Sequence, residues 1–454
     1  MFDNITIENF LSFKDKTEFS FIAKNEKAKK GYEHIEWYTE INKKKFLKTL
    51  FLFGNNGTGK SNFLAAVNVL RMFVCRRKSS RSFNDNKLPD TYFRLSSETI
   101  NQPSTIISTF VVNEKKYKYS ITWNEDIILN ESLYTIKNNN KEELIFLRTH
   151  NEEKDVVDIE FSKKLKSTLA SQKIIKENII PNTSVISLYD EKNIDFLELK
   201  EVYNYFNRII IKRLDDRILD LCSMLSNRKN EEILKKTILL LLKDLGTNIT
   251  DYEIIRTTRR LDQIEIDFLH SQMSAEVYNE RYPNDTSMAS YIRFAHYSNS
   301  PDDYCWLPEG MESDGTINMI KLIILLFDAA WNDTNIIIDE CAVGIHQETF
   351  NRIIQFFLSI SKNSQAIFAS QSLPILDMDG FRRDTARFFD KDFDSGVSTC
   401  ISIDLREFHL NKNIYKNYID HTFGGIPKIP VNEVWKLHLA DFRSTINDSK
   451  LNLL

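Results

Sequence analysis

Gly54-Asn55-Asn56-Gly57-Thr58-Gly59-Lys60-Ser61 is the stretch that decides how the rest of this chain reads. Its glycines let the backbone curl until successive N–H groups face one anion, and a following helix adds its positive N-terminal end. Lys60 then reaches the β- and γ-phosphates of a bound nucleotide, and the Ser61 hydroxyl ligates Mg²⁺. A chance glycine turn is the competing reading, and the flanks argue against it. Residues 49–53 are a continuous apolar run of strand length, and residues 62–74 repeat apolar side chains at helical spacing. Strand, glycine loop and helix follow in the order a phosphate-binding loop needs. Residues 54–62, closed by Asn62, are therefore the expected nucleotide-binding segment.

Ile336-Ile337-Ile338-Asp339-Glu340 supplies the second half of such a site. An apolar strand ends there in a carboxylate, Asp339, placed to hold Mg²⁺ together with Ser61, as a Walker B aspartate does. Glu340 follows at the strand exit, where it can polarise water for in-line attack on the γ-phosphate. Catalysis is assigned to Glu340 and Lys60, with ATP and Mg²⁺ as the cofactors. Alone, an apolar run ending in Asp-Glu marks only a strand reaching solvent. The phosphate loop turns it into a pair.

Asp339 lies 279 positions beyond Lys60. Something large is inserted between the two halves, as in ABC-type heads of the SMC and RecF kind. Such heads carry a signature motif ahead of the Walker B strand. Glu312-Ser313-Asp314-Gly315-Thr316, opening a helix expected over 317–331, is a divergent version. In that reading Ser313, Asp314, Gly315 and Thr316 meet the γ-phosphate held by an opposite subunit. A plain N-cap at Ser313 is the ordinary alternative.

Periodicity fills in the rest. Alternation over 1–25 and in short segments from 105 to 148 predicts antiparallel strands, with a turn at Asn138-Asn139-Asn140. Residues 78–90 are polar and read as a loop. Residues 163–245 switch to helical spacing with many charges, and read as an insertion that projects from the head. Helices over 316–331 and 350–361 alternate with short apolar strands at 335–338 and 366–369, which implies a mostly parallel sheet covered on both faces. The expected fold is α/β: an ABC-type P-loop ATPase head, with a mixed, mostly parallel sheet and an antiparallel subdomain, interrupted by a helical insertion. The expected division is 1–160 for the first lobe and 161–255 for the insertion, available for oligomerisation or partner docking. The second lobe, 256–454, carries the signature-like motif, Walker B and the switch strand.

Five pieces resemble the AAA_15/AAA_21 ATPases of bacterial anti-phage defence, including the RloA, AbiLi-like and PARIS ATPase subunits and, more distantly, OLD and Septu. They are residues 54–62, 312–316 and 336–346, Phe381-Arg382-Arg383-Asp384 with the following 388–392, and Phe423-Gly424-Gly425-Ile426-Pro427. The resemblance implies a switch histidine after the Walker B strand, but the matching run here is Ala369-Ser370-Gln371. Gln371 can donate a hydrogen bond to phosphate and cannot carry a protonic charge. Cys341 and Gln347 also depart from the usual neighbours of the D-loop, while His346 keeps the family's pattern. The OLD relatives carry a nuclease domain after the ATPase. Here 114 residues follow Glu340, and Asp384, Asp390, Asp392 and Asp394 read as structural.

The bulk numbers narrow the partners. The chain has 454 residues and a formal net charge of −4, which argues against a surface coated in cations for nucleic acid. The apolar runs are far below the roughly 18–20 residues of a membrane span. Five dispersed cysteines, Cys75, Cys222, Cys305, Cys341 and Cys400, read as reduced thiols in a cytoplasm. What the resemblance implies is an abortive-infection ATPase. It would be a homo-oligomer with composite sites, acting as sensor or scaffold for a separately encoded toxin or nuclease, with a phage protein as a candidate trigger. The alternative is a RecF/Rad50-like DNA-repair ATPase acting directly on DNA. Direct nucleic-acid binding stays open at this point.

Overall fold

The run at 49–53 is apolar at every position because the strand it forms, β5 (Thr49–Phe53), is buried on both faces. Leu50 and Leu52 enter one core, and Phe51 and Phe53 the other. Two neighbours repeat the split: Ile337 turns away from Ile336 and Ile338 on β15 (Ile336–Asp339), and Ile367 from Phe368 on β16 (Ala366–Ser370). The computed structural model describes residues 1–75, 87–151, 156–163, 169–192, 194–214, 218, 231–298, 304–403, 414–420, 424 and 441. The 423–427 motif apart from Gly424, the expected loop up to residue 86, and Cys222 lie outside the described residues.

The central sheet runs β11 (Ile210–Arg213), β15, β16, β5, β17 (Ala386–Lys391), β18 (Ser398–Ser402). Its pairings are parallel except for β17 with β18. A seven-stranded antiparallel sheet stacks behind it, in the order β10 (Val156–Phe161), β9 (Glu142–Asn151), β8 (Ile128–Ile136), β7 (Lys115–Trp123), β6 (Ser104–Val112), β1 (Phe2–Glu8), β2 (Thr17–Ser20). Helix α1 (Lys60–Cys75) lies between the sheets, with Phe63, Val67, Leu70 and Val74 in the shared core. A hairpin of β3 (Tyr38–Ile41) and β4 (Lys44–Leu47) precedes β5.

The segment 163–245 does not project in its described parts. Helices α2 (Leu169–Asn178), α3 (Ser187–Lys192) and α4 (Leu197–Asn207) set Ile175, Leu188, Leu199, Val202 and Phe206 into the core around α1. β11 then joins the central sheet beside β15. Helix α5 (Glu231–Asp244) buries Leu234, Ile238 and Leu242 at i, i+4 and i+8 in the other core. Many charges and an apolar stripe describe an amphipathic helix on a body equally well, and burial decides between the readings.

The more exposed excursion comes later. β12 (Ile249–Arg260) and β13 (Thr286–Tyr297) form a long antiparallel pair, extended by β14 (Tyr304–Pro308). Between them stand α6 (Gln263–Gln272) and α7 (Ala275–Arg281), and α6 buries none of its residues. Helix α8 (Asp314–Trp331) is apolar around most of its circumference and fills the core beneath β15, beside α9 (Gln347–Ile360). A short helix, α10 (Ile414–Ile419), packs Ile414 and Tyr418 there. Among the described residues no helix is long and apolar enough to cross a membrane.

Candidate functional site

β5, β15 and β16 run parallel, so the loops that leave them gather at one edge of the sheet. A cavity of about 140 Å³ opens there, lined by Asn56, Gly57, Gly59, Lys60, Ser61, Asn62, Asp339, Glu340, Ala369, Ser370 and Gln371. Residues as far apart in sequence as Asn56 and Gln371 therefore share one small space.

The loop that leaves β5 is tightly made. Gly59 has a φ of +110°, and a Cβ there would stand 2.7 Å from Ser398 Oγ and 3.0 Å from Ser12 Oγ. Only glycine fits. Thr58 Oγ1 donates to Asn55 O at 2.8 Å, and Asn62 Nδ2 donates to Ser12 Oγ at 2.6 Å. Lys60 folds back over the loop and donates to Gly54 O at 2.6 Å and Asn55 O at 2.9 Å. Burial holds its ammonium below the ordinary lysine range, against the opposing pull of Asp339 and Glu340. A buried cation resting on carbonyl oxygens, with two carboxylates nearby, is poised to receive an anion.

Asp339 faces two groups. Ser61 Oγ donates toward its Oδ2 at 3.4 Å, and Arg213 Nη2 lies 3.4 Å from the same oxygen. Arg213 ends β11, the strand paired with β15, and no motif marked it in the sequence. Glu340 sits in the left-handed region at φ 55° and is exposed toward the cavity. A bulky residue held there costs on the order of 1–3 kcal/mol, and such strain persists where the surroundings impose it. The donor set suits Mg²⁺: one hydroxyl and one carboxylate, both hard oxygens, leaving most positions to phosphate and water. Among the described residues no three His, Cys, Asp or Glu side chains gather to hold a metal on their own.

The remaining expected site residues divide. Gln371 lines the cavity; His346 does not. His346 is exposed and caps α9, its Nδ1 accepting from Glu348 N at 3.3 Å. Ser313 caps α8, accepting from Thr316 N at 3.1 Å, and Asp314 stands in the first turn. Gly315 touches the turn after Glu340: a Cβ there would lie 2.5 Å from Gly344 O. Asn318 Nδ2 donates to Val343 O at 3.1 Å, completing the seam. The 313–316 turn thus leans on the loop that holds Glu340, and lines no part of its own chain's cavity.

Asp384 is spent on Arg382, which grips it through Nε at 2.7 Å and Nη2 at 2.8 Å, with the carboxylate 1% exposed. Asp392 caps its own turn, accepting from Ser395 N at 2.7 Å. Sequence reasoning missed Ser12 and Ser398, which brace the loop, as well as Arg213.

A family described as "AAA domain, putative AbiEii toxin, Type IV TA system" (AAA_21) matches residues 50–379. No curated protein matches the chain in sequence. Among solved structures, the SMC head domain from Thermotoga maritima matches at 10% identity and a TM-score of 0.43, covering 89% of this chain and 99% of that one. An SmcHead bound to the C-winged helix domain of ScpA matches at 13% identity and a TM-score of 0.40, covering 90% of this chain and 99% of that one. With the family match spanning both the phosphate-loop strand and the Walker B strand, the chain belongs to the AAA_21 family of AAA-domain proteins.

Proposed function

We propose that this protein binds and hydrolyses ATP as the sensor and scaffold subunit of a bacterial anti-phage defence system, controlling a separately encoded toxin or nuclease. The observation that carries the ATPase half is the convergence of Lys60, Ser61, Asp339, Glu340 and Gln371 on one cavity. Lys60 exchanges the carbonyls of Gly54 and Asn55 for phosphate oxygens. Ser61 and Asp339 would hold Mg²⁺, which supplies charge neutralisation along the phosphates when bound. Glu340 accepts the proton of the attacking water, and Gln371 donates a hydrogen bond toward the γ-phosphate.

The turn at Ser313-Asp314-Gly315-Thr316 offers N–H groups at the start of an 18-residue helix and lines no part of its own chain's cavity. We assign it to a second subunit's nucleotide, which makes a homo-oligomer with composite sites the working unit. The family description, with its AbiEii and toxin–antitoxin wording, supports the defence role. The division into lobes 1–160 and 256–454, joined by 161–255, is part of the same proposal.

The test separates this reading from a DNA-repair ATPase. Purified protein is incubated with ATP and Mg²⁺ or Mn²⁺, with and without plasmid and tRNA. DNA-independent hydrolysis, no cleavage, and co-purification with a protein from a neighbouring gene are expected. DNA-stimulated hydrolysis would favour the repair reading. Cleavage that survives Lys60→Ala and is lost on changing Asp390 and Asp392 would overturn the two-protein reading.

A further inference from the structure

β3 has an open side. Its hydrogen-bond phase follows from β4: Leu47 N donates to Phe21 O and Ala23 N to Lys45 O, both at 2.8 Å. Residues 45 and 47 therefore turn toward the chain after β2, and Phe46 turns toward β3, opposite Thr39. Lys48 N donates to Trp37 O at 2.9 Å, in the same phase. Trp37 and Thr39 thus spend their backbone groups on the β4 side. The N–H and C=O groups of Tyr38 and Glu40 point the other way, and among the described residues β3 pairs with β4 alone.

A cavity of about 1000 Å³ runs along that edge. Trp37, Tyr38, Thr39 and Glu40 form one side of it, and Tyr32 and Phe381 add aromatic wall. The walls are fixed. Thr39 Oγ1 donates to Lys362 O, and Arg382 donates to Lys24 O at 2.6 Å and Glu26 O at 3.2 Å while holding Asp384. The Phe381–Asp384 motif is accordingly the clamp that ties the 24–37 loop down. A fixed groove loses little entropy when filled.

Most of its charges are already paired: Lys29 with Asp379, Arg382 with Asp384, Arg383 with Glu26, and Lys48 with Glu36. Lys27, Lys30 and Lys362 also line the groove and form no ion pair among the described residues. Of the other carboxylates, Glu40 stands opposite Lys45, and Glu33 accepts from Gly31 N at 2.8 Å.

We propose that the groove beside β3 docks an extended acidic peptide segment of a partner protein, which adds to the sheet edge at Tyr38 and Glu40 and sets its carboxylates against Lys27, Lys30 and Lys362. A strand supplies alternating donors and acceptors at the spacing Tyr38 and Glu40 present, with every second side chain facing the aromatic wall. A nucleic acid would satisfy the lysines and leave that donor–acceptor pattern unmatched. Lys48 and Phe53 bound the two ends of β5, about 16 Å apart by strand rise, so an occupant leaves the nucleotide cavity open. The partner's identity rests on the two-protein reading above; the groove's chemistry does not.

The test pans a displayed library of random short peptides against the full-length chain and measures the recovered peptides by fluorescence anisotropy. Sequences alternating Asp or Glu with apolar residues are expected, binding Lys60→Ala as well as wild type. Lys27→Glu with Lys30→Glu should weaken them about tenfold, the loss of two charge contacts. Glu40→Pro should weaken them about five- to tenfold, because it removes the outward N–H and no hairpin bond. No acidic enrichment, equal affinity in both variants, or displacement by a single-stranded oligonucleotide would overturn the proposal. If the peptides fail while a partner co-purifies, the groove falls and the two-protein reading stands. If they bind and no partner exists, the reverse holds.

Discussion

Ser61 Oγ and Asp339 Oδ2 face each other at 3.4 Å, although 278 residues separate them in the chain. β16 lies between their strands, so the approach is made by the loops that leave β5 and β15 on the same edge. Asp339→Asn keeps that shape and removes the negative charge. Nucleotide should still bind without metal, and the gain in affinity that Mg²⁺ gives wild type should shrink roughly tenfold or more, a charged contact being worth about 1.5–3 kcal/mol. Titration of a fluorescent ATP analogue with and without Mg²⁺ measures it. An unchanged Mg²⁺ effect would remove Asp339 from the metal.

Lys60 and Glu340 should separate binding from chemistry. Lys60→Ala deletes the cation that rests on the loop carbonyls. Affinity for ATP should drop roughly a hundredfold, the value of a charge-assisted contact of about 3 kcal/mol. Glu340→Gln keeps the shape and removes the base, so ATP should bind normally while hydrolysis falls about 10²–10⁴-fold. Equal turnover in Glu340→Gln and wild type would place the base elsewhere.

Much of this site was legible because it is local. A phosphate loop writes its glycines, lysine and serine in eight consecutive residues, and a buried parallel strand writes itself as Ile-Ile-Ile before its carboxylate. Arg213 was illegible for the opposite reason. It reaches Asp339 through strand pairing between β11 and β15, and no spacing in the sequence announces a sheet neighbour. The 381–384 motif could be quoted but not explained, since its partners Lys24 and Glu26 lie more than 350 positions away. The helical segment misled because its charges are visible in sequence while the burial of Phe206 and Leu242 is not.

Gly315→Ala tests the seam between the α8 turn and the loop carrying Glu340. The added methyl would meet Gly344 O at 2.5 Å, and a backbone atom cannot swing aside as a side chain does. Overpacking of that kind costs about 1–3 kcal/mol. Hydrolysis should fall further than ATP affinity, because the displaced turn holds Glu340 and not the phosphate loop. Wild-type turnover in Gly315→Ala would show the contact to be slack.

Glu131 gives a pH test away from the site. It is fully buried, accepting from Tyr119 Oη at 2.9 Å and Val185 N at 2.8 Å. Burial pushes its carboxyl up from 4.5 to about 7, against the lowering pull of Arg148 and these hydrogen bonds. Between those values the folded chain binds the proton that the unfolded chain releases. This group's contribution therefore falls as pH rises from 4.5 to about 7 and is level above. Glu131→Gln lacks that slope. Urea unfolding of both proteins at about pH 5 and about pH 8 should give stability differences that diverge by on the order of 3 kcal/mol. Parallel profiles would mean the carboxylate is solvated.

Subunit mixing tests the assignment of Ser313-Asp314-Gly315-Thr316 to a neighbour's nucleotide. Lys60→Ala destroys the phosphate loop, and Ser313→Arg puts a large cation where the α8 turn would meet phosphate. Each variant alone should be inactive, since every composite site contains the damaged element. In a mixed dimer one site joins Lys60→Ala to Ser313→Arg and is doubly dead. The other joins an intact loop to an intact turn. Random mixing of equal amounts should then restore about a quarter of wild-type ATPase, because half the dimers are mixed and each has one working site. Hydrolysis proportional to mixed dimer, measured on chains shown to be folded and associated, is the expected result. If no activity returns, the turn is an N-cap and the site belongs to one chain.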